Sequence, residues 1–200
     1  MLTYIIWGLL PLYWKLLSHV PAVLTLCCRI IFSLVFTAVL IIITRRMGEF
    51  KALLKDRPTM LKMTAAAILI TINWGTYIYA VASGHTLDAS LGYYMNPLVV
   101  FAMSAIIFKE KTSVLQIVSI CVAASGVIIT LLLFGSVPVT ALFMAFSFAS
   151  YGMVKKFAHV DPLLGIALET LITLPAALMV SFALYSDTIA ALTLRDGLLL

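Results

Sequence analysis

Apolar runs of about twenty residues, without alternation of polarity, recur along the whole chain and constrain its fold more than any motif does. The stretch from Ala22 to Thr44 carries a single charge, Arg29. A helix of about twenty residues crosses the roughly 30 Å hydrocarbon core of a bilayer. A membrane barrel would instead show segments of about ten residues with alternating polarity. The composition, 64% hydrophobic and 10% charged, stands against roughly 45–50% and about 25% in soluble domains. The fold class expected is therefore all-α integral membrane, a polytopic helical bundle whose first partner is the lipid bilayer.

Spans are expected at about Met1–Leu17, Ala22–Thr44, Met63–Ala82, Ala89–Phe108, Ser113–Phe134, Pro138–Val154 and Leu163–Tyr185, with Thr188–Leu200 opening an eighth. The loop after the second span holds Arg45, Arg46, Lys51, Lys55, Arg57 and Lys62 against Glu49 and Asp56. Lys109 and Lys111 follow the fourth span, and Lys155 and Lys156 follow the sixth. The alternate loops, Ser83–Asp88 and Gly135–Val137, contain no Lys or Arg. Basic loops stay on the cytoplasmic side, so the amino terminus is expected there too. The formal charge of +5 is then a topology signal, and no nucleic acid partner is expected. Met1 begins and Leu200 ends inside apolar runs, without the charged start and cleavage site of a secretory signal. The expectation is a chain lacking part of its first helix and some downstream helices.

A shift of 140 residues lays the sixth and seventh spans on the first and second. Lys15 then meets Lys155, His19 meets His159, Arg29 meets Glu169 and Ser33 meets Thr173. One repeat is thus five spans, and an odd number inverts the second copy across the membrane, as in many secondary transporters. Residues 1–134 are expected to form the first five-helix repeat and residues 135–200 the start of the second.

Arg29 and Glu169 are the ionisable residues that fall clearly inside these spans, where a charge costs about 2.5–3.5 kcal/mol on insertion scales. Arg29 either faces a cavity or snorkels to the outer headgroups. Glu169 has no long stem and is the candidate for proton coupling, since desolvation makes carboxyls hold protons nearer the working pH range. Their depths leave about 10 Å between them, so a water-bridged or state-dependent interaction is expected rather than a fixed salt bridge. Asn73, Trp74 and Tyr77 share a face that either lines a substrate path or ties helices together. Tyr93 and Asn96 precede Pro97, which is expected to break the fourth span beside a wet cavity or to kink it for packing. Ser147 and Tyr151 lie one turn apart on the sixth span. Lys15 and Arg29 would line the outer half of a pathway, and Lys155 or Glu169 the inner half. Cys27, Cys28 and Cys121 lie in apolar runs without metal-ligand spacing, so neither a metal nor another cofactor is expected.

The run from Trp7 and Gly8 through Pro11, Tyr13, Trp14 and Lys15 resembles the first helix of the RarD proteins. Leu87-Asp88-Ala89-Ser90-Leu91-Gly92-Tyr93-Tyr94-Met95-Asn96-Pro97-Leu98 is similar to the same family. So are Asn73-Trp74, Phe134-Gly135-Ser136-Val137-Pro138, Ala145-Phe146-Ser147-Phe148-Ala149-Ser150-Tyr151-Gly152 and Leu168-Glu169-Thr170. RarD proteins belong to the EamA group of the drug/metabolite transporter superfamily. The resemblance implies ten helices in two inverted five-helix repeats, a carrier-type permease and the bacterial cytoplasmic membrane. The family name is also associated with chloramphenicol sensitivity.

Three functions are compatible with such a chain. The leading one is a secondary transporter of small organic solutes or drugs working by alternating access, with no resident cofactor and a second copy of the chain as candidate protein partner. A membrane enzyme is disfavoured, because the chain has no H-E-x-x-H, no G-x-S-x-G and no acidic metal cluster. A non-transporting assembly protein would explain the polar stripes as helix–helix contacts.

Overall fold

The computed structural model describes residues 20–109, 112–134 and 139–191, and all regular structure among them is helical. We number the helices α1 (Ala22–Ile43), α2 (Met47–Lys55), α3 (Arg57–Ala82), α4 (Thr86–Phe108), α5 (Val114–Phe134), α6 (Val139–Ala158) and α7 (Pro162–Ala191). Apart from α2, each occupies one of the expected spans from the second to the seventh. By length and composition, α1, α3, α4 and the Pro162–Tyr185 part of α7 can cross a membrane, while α5 carries the shorter apolar stretch Val114–Thr130. The chain is a helical membrane protein. The expected first span, with Lys15, lies outside the described residues, as does most of the eighth. Tyr185 leaves helical geometry (φ −131°, ψ 18°) and separates the last residues of α7 from the rest.

Helix ends follow local chemistry. Arg45 takes a left-handed conformation (φ 57°) after α1, with its N–H on the Ile42 carbonyl (3.1 Å) and the Arg46 N–H on that of Ile41 (3.0 Å). This paired reversal caps the helix and fixes where Arg46 starts. Asp161 opens α7: its Oδ1 accepts from the N–H groups of Leu163 (3.0 Å) and Leu164 (3.4 Å), and Pro162 occupies the first helical position. Ser113 and Gln116 exchange side-chain to backbone bonds at the start of α5.

Three expectations need correction. α3 starts at Arg57 rather than Met63, because Pro58 suits a first turn that polar residues can keep wet. α2 occupies part of the segment read as a loop. It packs Met47, Phe50 and Leu53 against Ile41, Leu164, Ala167 and their neighbours. Finally, α4 runs unbroken through Pro97. The proline removes one backbone hydrogen bond but does not end the helix.

Packing brings late helices among early ones. α6 lies between α3 and α4, and α7 packs mainly on α1 and partly on α3. Ala141, Ala145 and Ala149, one turn apart, are fully buried on α6. A Cβ on Gly92 of α4 would stand 3.1 Å from the Ala141 carbonyl oxygen and 3.2 Å from its Cα. Such small residues let backbones approach closely where lipid offers no hydrophobic drive for helices to associate. Phe32, Phe36, Ile106, Leu115 and Val122 are exposed on the outside, as suits a surface solvated by lipid.

Candidate functional site

Two polar levels interrupt the apolar interior. At the first, Lys155 Nζ donates to Glu169 Oε1 at 2.8 Å, and the Tyr151 hydroxyl donates to Oε2 at 3.2 Å. The Glu169 carboxylate is only 2% exposed. Tyr151 and Lys155 are one turn apart on α6, so both reach the carboxylate on α7 from one side. Gly165, one turn before Glu169, leaves the notch that Lys155 fills. A Cβ there would overlap the ammonium group. Burying one charge beside its opposite, with a further hydrogen bond, makes an apolar site tolerable for both.

At the second level the Arg29 guanidinium lies 4.1 Å from the centre of the Trp74 ring. Tyr77 and Tyr93 meet edge to face, their ring centres 5.1 Å apart. A cation over an indole face is attracted by the ring quadrupole, and more strongly where water is scarce. Glu169 is therefore held by Lys155 and Tyr151, while Arg29 stacks on Trp74. Among the described residues no direct ion pair joins Arg29 to Glu169, and their depths in the sequence predict none. Sequence reasoning considered only Arg29 as a charge partner for Glu169. Its partner was hidden because Lys155 was placed in a loop beyond Val154, whereas α6 continues to Ala158.

Asn73, next to Trp74 on α3, acts as a strut. Its Nδ2 donates to the Met144 carbonyl (2.8 Å) and to Ser147 Oγ (3.0 Å) on α6. Asn96 is buried on α4, and its Oδ1 has no hydrogen-bond partner. Among the candidates, then, the structure joins Arg29 with Trp74, Tyr77 with Tyr93, and Tyr151 with Glu169. Asn73 is tied to α6 instead. Gly165 was missed, although its spacing of four from Glu169 marks the same face.

The end of the bundle bearing the basic loops is also cross-tied. Arg46 bonds Glu49 (2.8 Å) and Asp161 (2.9 Å), Lys62 Nζ donates to the Phe157 carbonyl (3.0 Å), and Lys156 Nζ lies 4.0 Å from the Phe108 ring centre. Hydrogen bonding from Arg46 holds the Glu49 carboxyl below its ordinary range. Desolvation pushes the Asp161 carboxyl up, but the bonds from Arg46 and the α7 backbone outweigh it and the net shift is down.

A bundle of apolar helices with a neutralised charge pair and an aromatic-stacked arginine inside it defines a polytopic helical membrane protein. The EamA-like transporter family model matches residues 1–132, and the chain belongs to that family. Its relatives include the Uncharacterized transporter YojE of Bacillus subtilis, 45% identical over 180 residues, covering 88% of this chain and 60% of that protein. Protein RarD of Escherichia coli is 40% identical over 181 residues, 90% of this chain and 61% of that one. The Chloramphenicol-sensitive protein RarD of Pseudomonas aeruginosa is 30% identical over 175 residues, with 84% and 58% covered. The RarD resemblance read from the motifs thus agrees with these relatives. The chain spans about three-fifths of the length of the curated relatives it matches. No solved structure matches it. The family and its members' names point to transport rather than catalysis.

Proposed function

We propose that the chain forms the larger part of a secondary carrier for small organic solutes in the bacterial inner membrane, working by alternating access. In this reading residues 1–134 are one five-helix unit and residues 135–200 begin an inverted second copy. The 140-residue offset supports that division, and so does the insertion of α6 and α7 among α1, α3 and α4. The cross-tied basic end faces the cytoplasm by the positive-inside rule, which puts the amino terminus there as well. Arg29, Trp74, Tyr77 and Tyr93 line the outer part of the solute path with Lys15, and Tyr151, Lys155 and Glu169 the inner part. Asn96 offers its unpartnered amide oxygen beside the path. A second copy of the chain is the candidate protein partner.

The observation that carries this reading is a carboxylate 2% exposed within an apolar span, bonded to a lysine and a tyrosine from another helix. A purely structural tie needs no ionisable group at such depth, whereas proton coupling does. In liposomes of the intact protein, Glu169→Gln is expected to abolish uptake driven by a pH gradient while leaving solute exchange measurable. Uptake that still follows the gradient in that variant removes the coupling role. The Asn73 strut favours plain helix–helix contact for that residue alone, the role an assembly protein would give all of them.

A further inference from the structure

The cross-ties at the basic end share a pattern that the carrier reading does not require. Each joins a residue between Arg46 and Phe108 to one between Lys156 and Asp161: Arg46 to Asp161, Lys62 to the Phe157 carbonyl, and Phe108 to Lys156. Each therefore clamps the helices of the first part of the chain to the α6–α7 turn. α2 faces the same turn across a cleft lined by Leu53, Asp56, His159, Val160 and Leu164. Its Phe50 and Leu53, with Val160 of the turn, pack on the layer of Ile41, Met63, Leu164, Ala167 and Leu168, all nearly fully buried. Leu164, Ala167 and Leu168 precede Glu169 on α7, toward the end where that helix begins at the basic turn.

We propose that α2 and the Arg46–Asp161 ion pair form a strap that closes the basic end over the Lys155–Glu169 site. This rests on the carrier reading for the meaning of the site, but the closure itself is a property of the packing. The strap is built at both ends by helix caps. The left-handed turn at Arg45 delivers Arg46, and the first turn of α7 delivers Asp161. The ion pair is partly exposed, 28% and 38% at the two side chains, so water can compete for it. The apolar layer under α2 supplies the seal, and the ion pair sets how often it lifts. Opening then needs no rearrangement of the caps themselves, only a parting of α2 from the α6–α7 turn.

The test reads closure without requiring transport. Cys27, Cys28 and Cys121 are the chain's native thiols, and replacing them gives a clean background. Ala167→Cys then reports access to the layer under the strap, using a membrane-impermeant maleimide added from the basic side. Asp161→Asn keeps a side-chain oxygen for capping α7 while removing the charge. It is expected to speed labelling about two- to fivefold, the range for one partly exposed ion pair. Arg46→Gln is expected to speed labelling to a similar degree, and the two variants combined to label no faster than either alone, because both remove the same contact. Labelling as slow in Asp161→Asn as in the parent protein, or effects of the two variants that simply add, would overturn the strap. Glu169→Gln can lose pH-driven uptake or retain it without touching these rates, so the two readings fail separately.

Discussion

The two polar levels hide charge from lipid by different means. Arg29 spreads its charge over a guanidinium and lays it on an indole, on a side chain long enough to reach toward an interface. Glu169 has a short stem and a concentrated charge, so it needs a counter-ion brought to it. The chain provides Lys155, a notch at Gly165 and the Tyr151 hydroxyl. The aromatic level therefore holds its cation on a ring face, while the carboxylate level rests on point contacts from two side chains and a glycine notch. That asymmetry suits a path in which one station guides a solute and the other couples to an ion.

The sharpest way to break the comparison is Lys155→Met. It keeps the aliphatic stem and leaves the carboxylate without its cation, a change that costs about 3–5 kcal/mol in buried pairs. Adding Glu169→Gln to the same protein is expected to recover most of the loss, since the remaining amide carries no charge. Equilibrium unfolding of both proteins in mild detergent measures this. Equal stabilities for the single and double variants would mean that the pair is screened by water.

Gly165→Ala tests the notch with a smaller effect. The added Cβ would occupy the position of the Lys155 ammonium, so the lysine must bend away and lengthen its bond to Glu169. A loss of about 1–3 kcal/mol is expected, typical of overpacking, and it should vanish once Lys155 is already Met. A full loss in the Lys155→Met background would place the strain in the backbone instead.

Much of the fold was legible because lipid enforces a simple rule, that every span needs its own apolar run and internal hydrogen bonds. The ends of the spans were less legible. Arg57–Lys62 and Lys155–Ala158 are polar or basic turns that continue helices by capping and packing, not by hydropathy. Ending α6 at Val154 moves Lys155 from a helix face to a loop and leaves Arg29 as the charge to consider for Glu169. α2 was hidden for a related reason: its Met47, Phe50 and Leu53 are separated by charged and small residues within a basic segment. The aromatic group was easier, since Asn73, Trp74 and Tyr77 share one helix face. Even so, nothing in their spacing showed that Asn73 would turn to α6 while Trp74 met Arg29 on α1.

The aromatic level yields the smallest expected effect and the most direct measure of the contrast. Arg29→Met and Trp74→Leu, made singly and together, form a double-mutant cycle whose coupling energy isolates the stacked contact. About 0.5–1 kcal/mol is expected if water reaches the guanidinium, rising to about 2 kcal/mol if the pair is dry. Arg29 keeps its long stem in either case, so each single loss should stay below that of Lys155→Met. A coupling as large as the Lys155–Glu169 pair shows would erase the distinction between the two levels. Arg29 would then be a fixed structural ion, too firmly held to release its ring and meet a passing solute. A coupling near 0.5 kcal/mol means that exchanging the Trp74 ring for a ligand's contact costs little, as a guiding station requires.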